Sequence, residues 1–151
     1  MNTSMQWNVK HFNKLTTLEY HNILHLRTKI FVVEQDCPYQ EVDFKDPKCY
    51  HVFGIKNSEI IAVTRIIPSG ISYPEISIGR VALSKVHRGT GIADQLMDNS
   101  IHFIETNLGE QPIRISAQQY LLKYYDKHGF VPQGKMYLED GIPHVEMLRN
   151  A

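Results

Sequence analysis

Residues 78–93 read I-G-R-V-A-L-S-K-V-H-R-G-T-G-I-A, and this stretch limits the possible folds more than any other. Ile78 through Leu83 alternate and include β-branched side chains, which suits a strand. A short polar link leads into Arg88-Gly89-Thr90-Gly91-Ile92-Ala93. From Ile92 an apolar period of about 3.6 residues continues through Leu96, Phe103, Ile104 and Leu108. The glycines therefore fall where a strand has ended and a helix begins. The first turn of a helix offers unpaired N–H groups and a partial positive charge, which together make an anion site. Glycine lets the backbone approach a bulky anion, and Arg88 adds a full positive charge beside it. A diphosphate is the natural occupant; the plainer alternative is a tight turn that only needs glycine. A P-loop is excluded because no Gly-Lys-Ser/Thr follows, and a dinucleotide fingerprint because its third glycine is missing and much of the chain precedes the motif.

With 151 residues the chain is expected to be one domain with a single core. Sixteen basic residues balance sixteen acidic ones, which argues against a nucleic-acid surface or a polybasic membrane patch. No apolar run reaches the roughly 18 residues of a membrane span, and the N-terminus lacks a charged-then-apolar signal. Two cysteines, Cys37 and Cys49, do not make a disulfide framework, so a cytoplasmic setting with reduced thiols is expected.

Residues 7–12 alternate as a first strand. Thr16-Thr17-Leu18-Glu19 has capping-box spacing and predicts a helix start. Its apolar positions Tyr20, Ile23, Leu24, Ile30 and Phe31 share a face with Arg27 near the centre. Arg27 either pairs with a buried carboxylate or points into a site, toward an anionic part of a substrate. His21 and His25 lie on the opposite, polar face and are read as solvated. Residues 31–50 hold Pro38, Pro47 and an acidic series, and are expected to form an irregular loop or a broken helix. Glu34, Glu41, Asp43 and Asp46 there either bind a cationic amine or form a solvated acidic edge. Cys37, Cys49 and His51 match no common zinc spacing, so no metal is expected.

Residues 51–56 and 59–68 read as two strands joined by a polar turn at Lys56-Asn57-Ser58, the second covered on both faces. Residues 75–83 supply the strand that feeds the glycine loop. A meander followed by a strand–helix–strand crossover to residues 113–117 predicts an α/β (α+β) mixed sheet, not a doubly wound one. Residues 118–128 predict a short helix ended by Gly129-Phe130. An acidic turn, Glu139-Asp140-Gly141, then precedes a last strand at residues 143–148.

The motif R-x-x-G-x-A at Arg88, Gly91 and Ala93 resembles the acetyl-CoA pyrophosphate loop of the GNAT N-acetyltransferases. Tyr125-Asp126-Lys127-His128-Gly129-Phe130 is similar to that family's Y-x-x-x-G-F signature. More narrowly, L-R-x-x-I-F-V-V-E-Q-x-C-P-Y-x-E-x-D from Leu26, I-G-R-V from Ile78, A-Q from Ala117 and E-D-G-I-P-H from Glu139 resemble the ElaA-type branch. The order of elements over essentially the whole chain agrees. The resemblance implies a mostly antiparallel sheet with a splayed parallel strand pair, residues 78–83 and 113–117, holding acetyl-CoA in the notch. Backbone groups of Val81, Ala82 and Leu83 would pair with the pantetheine arm. The backbone N–H groups of Arg88, Gly89, Thr90, Gly91, Ile92 and Ala93 would hold the pyrophosphate. Gln118 stands where many members carry a cofactor-contacting asparagine.

The implied reaction is acetyl transfer to a primary amine, of a small molecule or a protein, by direct attack on the thioester. A fixed N–H of the splayed strand would stabilise the oxyanion. Tyr125 would protonate the departing thiolate, a phenol of pKa about 10 serving a thiol near about 8.5. An amine near about 10.4 is mostly protonated at neutral pH, so a base is needed. Many relatives use a glutamate in the strand before the loop; the aligned position carries Ser77, with Glu75 two residues away. Glu34 and His144 are further candidates. Arg27, Arg80 and His144 are candidate acceptor contacts, and an amino-acid-like or polyamine acceptor would suit the charges. A catalytically idle acyl-CoA sensor and a longer-chain acyltransferase are the alternatives; monomer and homodimer both stay open.

Overall fold

The computed structural model describes residues 4–151. The first strand, β1 (Gln6–His11), pairs antiparallel with β2 (Tyr50–Lys56), and β2 with β3 (Glu59–Ile67). Asn57 and Ser58, at φ 52° and 63°, form the two-residue turn between β2 and β3. Both take the left-handed conformation that a hairpin of this length requires. Next, β4 (Ser77–Leu83) adds antiparallel to β3 and completes a four-stranded meander β1-β2-β3-β4. It begins two residues later than the sequence pattern indicates. Gly54 of β2 leaves room for side chains at β1: a Cβ there would lie 2.7 Å from the Trp7 ring and 2.6 Å from the Met5 methyl, so a larger residue would have to displace them.

Helix α1 (Thr17–Thr28) follows β1 and opens with the anticipated capping box. The Thr16 hydroxyl accepts from the Glu19 N–H at 3.0 Å, and the Glu19 carboxylate accepts from the Thr16 N–H at 2.8 Å. Its last turn widens to π geometry over Lys29–Glu34, and an irregular segment then leads to β2. Helix α2 (Ile92–Phe103) packs Ile92, Leu96, Met97 and Ile101 against Val52, Ile61 and Ile66 of the sheet. On the sheet's other side, α1 packs Ile23 and Leu26 with Phe53, Val63 and Ala82. Residues of β3 are thus buried on both faces, as their unbroken apolar run requires.

The second sheet consists of β5 (Ile113–Gln118), the short β6 (Val131–Pro132), β7 (Tyr137–Glu139) and β8 (Ile142–Arg149), all antiparallel to β8. Helix α3 (Leu122–Lys127) joins β5 to β6, and residues 119–121 form a 3-10 turn instead of its first turn. Among the described residues no helix is long and apolar enough to cross a membrane.

Candidate active site

The two sheets meet where β4 and β5 run parallel, and they meet only at their start. A single parallel bridge joins Ile76 to Ile113, with the Arg114 N–H donating to the Ile76 carbonyl at 3.0 Å. Beyond it the strands belong to separate sheets and splay. A bulge in β4 re-aims its edge: the register steps from Val63–Ala82 to Arg65–Gly79, so Arg80 and Val81 together oppose Thr64, and Arg80 takes φ 52°. A cavity of about 830 Å³ opens along this gap. Gly79 through Leu83 form one wall, Ser116, Gln118 and Tyr125 another, and Gly89 and Ala93 of the glycine loop reach it.

The glycine loop has the anticipated geometry. Gly89 and Gly91 stand at φ 77° and 84°, and nothing lies within 4 Å of where their Cβ atoms would be. Gly91 is the N-cap of α2, and no side chain caps the first turn. Its N–H groups are therefore left for a ligand or water. Arg88, expected to add charge beside the loop, is turned aside. It donates to both Glu34 oxygens at 2.8 and 3.1 Å and to the Leu83 carbonyl at 3.1 and 3.2 Å.

Tyr125 reaches the cavity from α3 at 6% exposure. Gly129, at φ 92°, ends that helix and returns Phe130 beneath the ring, centroids 5.8 Å apart and edge-on. That is the physical content of the Y-x-x-x-G-F spacing. Tyr124 donates to the Ala93 carbonyl at 2.7 Å and so fastens α3 to the start of α2. The Tyr125 hydroxyl, by contrast, has no hydrogen-bond partner among the described residues. Burial holds its pKa above the ordinary phenol value, with Tyr120 adding to the effect.

Several sequence expectations are corrected here. Arg27 does not enter the site: at 1% exposure it pairs with Glu41 at 2.7 Å and Asp46 at 3.0 Å. Asp46 also accepts from Arg65 at 2.9 Å and from Tyr20 at 2.6 Å. Asp43 takes a two-pronged bond from Arg65 at 2.9 and 3.0 Å, and Arg80 bonds Glu41 at 2.9 Å while lying over the Tyr39 ring. Glu41, Asp43 and Asp46 are therefore neither a cation site nor a solvated edge. They and three arginines clamp the irregular segment onto the sheet. Burial opposes ionisation of Asp46, but Arg27's charge and the surrounding hydrogen bonds hold its pKa down to about 2. Arg80 does line the cavity, but with its charge balanced by Glu41.

Neither candidate glutamate base is free. Glu34 is bound by Arg88, and Glu75 takes two bonds from Arg114 at 2.9 and 2.8 Å that lower its pKa. Neither lines the cavity, whereas Ser77 does. Gln118 is engaged by Gln35, their amides exchanging bonds at 2.9 and 3.3 Å across the cavity wall. His144 lines the cavity and lies opposite Gln118 on β8. Tyr39, Lys45 and Glu139 also line it and were not singled out from sequence. The signal for Glu139 was present: a two-residue Asp140-Gly141 turn places Tyr137, Glu139, Ile142 and His144 on one face of a hairpin.

Comparison with known proteins agrees with this architecture. The family model described as an acetyltransferase (GNAT) domain matches residues 19–150. Protein ElaA of Escherichia coli (strain K12) is 36% identical over 147 residues, covering 96% of each chain. The crystal structure of Escherichia coli ElaA superposes with a TM-score of 0.92 at 35% identity, over 97% of this chain and 100% of that one. That of an acyl-CoA N-acyltransferase from Pseudomonas aeruginosa gives 0.91 at 39% identity, over 97% and 99%. With a family model matched over most of its length and relatives this similar over nearly the whole chain, the chain belongs to the GNAT acetyltransferase family, in its ElaA-type branch.

Proposed function

We propose that the chain transfers an acetyl group from acetyl-CoA to a primary amine by direct attack on the thioester, with Tyr125 as the general acid. The observation that carries this reading is the Tyr125 hydroxyl, held at the wall of the gap between β4 and β5 with no hydrogen-bond partner among the described residues. The edge of β4 that faces the gap, along Val81, Ala82 and Leu83, is suited to strand-like pairing with the amides of a pantetheine arm. The uncapped first turn of α2, behind Gly89 and Gly91, is suited to the pyrophosphate. Arg88 contributes by holding the Leu83 carbonyl, which fixes the strand end against the loop.

Attack on the carbonyl places charge first on oxygen and then on sulfur. The bulge at Arg80 frees a backbone N–H for the first. Tyr125 supplies a proton to the second. Its raised pKa keeps the phenol protonated at neutral pH. The same lack of water raises the thiolate's proton affinity, which favours the transfer.

Calorimetric titration with acetyl-CoA, on the wild type and on Gly89→Glu, tests the cofactor site. At φ 77° a glutamate is strained and puts a negative charge where the pyrophosphate would lie. Clear binding lost in the variant is the expected result; no binding by the wild type refutes the reading. Thiol release with a panel of amines, wild type against Tyr125→Phe, then tests the acid. A loss of about 10²–10⁴ in kcat with unchanged acetyl-CoA affinity is expected.

A further inference from the structure

We infer that His144 and Glu139 form the receiving site for the acceptor's ammonium group, and that His144 is the base that deprotonates it. This rests on the acyl-transfer reading above. His144 is buried in the β7–β8 hairpin, its ring stacked on Tyr137 at 6.1 Å and 27°, and it lines the cavity. Its Nδ1 lies 2.7 Å from the Ile142 carbonyl. A carbonyl can only accept, so Nδ1 carries a hydrogen and Nε2 is the ring nitrogen left to exchange a proton.

What faces Nε2 is a carboxylate. Glu139 Oε2 lies 3.3 Å from Nε2, and its other oxygen accepts from the Ser116 hydroxyl at 3.2 Å. No arginine or lysine pairs with Glu139 among the described residues, unlike Glu34, Glu41, Asp43 and Glu75. A hydrogen must stand between Nε2 and the carboxylate, borne by the ring itself or brought by a ligand. A primary ammonium supplies it twice over, one N–H to Nε2 and one to the carboxylate. A tertiary or quaternary ammonium, with one N–H or none, cannot fill the pair. The groups facing His144 are Glu139 and Tyr137 from β7 and Gln118 from β5, with Tyr73 close behind Tyr137.

The proton balance closes. His144 Nε2 takes one proton from the ammonium, and the imidazolium is held by Glu139. The freed nitrogen lone pair forms the N–C bond, the C–S bond breaks, and the thiolate takes the Tyr125 proton. The amide nitrogen sheds its second proton, which restores the phenol. His144 releases its proton to solvent, so one proton is produced per transfer.

Two measurements test this with n-butylamine as the probe. The first is a long-range ¹⁵N–¹H correlation spectrum of the histidine rings without acetyl-CoA, His144 being identified among eight histidines by its loss in His144→Gln. The Nδ1–H tautomer and a saturable Nε2 shift with n-butylammonium are expected, weakened about tenfold in Glu139→Gln and not elicited by n-butanol. An Nε2–H tautomer, or an equal response to n-butanol, overturns the site. The second is the pH profile of kcat/KM for acetyl transfer to n-butylamine. In His144→Gln it should fall about 10²–10⁴ near neutral pH and climb with the free-amine fraction. A variant that keeps the wild-type rate and profile overturns the base. Glu139→Gln, at a half-exposed turn, should raise KM for the amine more than it lowers kcat. If the ring spectra behave as expected but acetyl-CoA does not bind, the acyl-transfer reading and the base fall together, and the ammonium site stands.

Discussion

Replacing Arg27 with methionine separates its structural role from a catalytic one. The side chain is 1% exposed and its guanidinium lies between Glu41 and Asp46. Methionine keeps most of the apolar stem in place, so the loss is chiefly of charge. Removing one partner of a buried ion pair costs about 3–5 kcal/mol, because the other charge stays behind without water. Here each carboxylate keeps a second arginine, Glu41 that of Arg80 and Asp46 that of Arg65, both at 2.9 Å. The cost should therefore sit at the low end, about 3 kcal/mol. For a chain of this size that is a fall of about 6–12 °C in Tm. Urea unfolding followed by the fluorescence of the single tryptophan, Trp7, measures it. Adding Glu41→Gln restores the charge balance and should recover about 1 kcal/mol, the sign of a direct coupling. If Arg27→Met unfolds within about 0.5 kcal/mol of the wild type and only raises KM for the amine, the guanidinium acts on the acceptor and the clamp reading is wrong.

Other consequences follow from the same contacts. Asp46 has a folded pKa of about 2, against about 3.9 unfolded. Its contribution, about 2–3 kcal/mol, is present above pH 4 or so and is lost as pH falls through about 2. Urea midpoints between about pH 5 and 2 should drop in the wild type and drop less in Asp46→Asn; equal slopes contradict the assignment. Gly54→Ala places a methyl against Trp7 and should cost about 1–3 kcal/mol with a shifted Trp7 emission; unchanged stability and emission would show that the two strands are not in close contact there. Tyr125→Phe should leave stability within about 0.5 kcal/mol, since its hydroxyl bonds no group among the described residues. Tyr20→Phe, which deletes the 2.6 Å bond to Asp46, should cost about 1.5–3 kcal/mol. The reverse ranking in thermal denaturation would mean the two hydroxyls have been misassigned.

The elements that the sequence makes legible are those whose cause is local. Thr16 and Glu19 lie three residues apart on one turn, and Asn57-Ser58 joins two strands directly. Gly89 and Gly91 adopt φ values that their neighbours in sequence already call for. The misreadings share a different cause. Arg27 meets partners 14 and 19 residues away, Arg80 meets Glu41 at a separation of 39, and Glu34 meets Arg88 across 54. A charge is free or neutralised according to sheet register, and the decisive step in that register is the bulge at Arg80, which no alternation pattern announces. A carboxylate in a promising position is therefore a poor guide to a base until its arginine is known. The hairpin at Asp140-Gly141 is the exception that shows the rule. Its two-residue turn fixes the register at once, so Glu139 and His144 share a face by counting alone. That pair, without an arginine partner among the described residues, rests on register that a short-range turn determines.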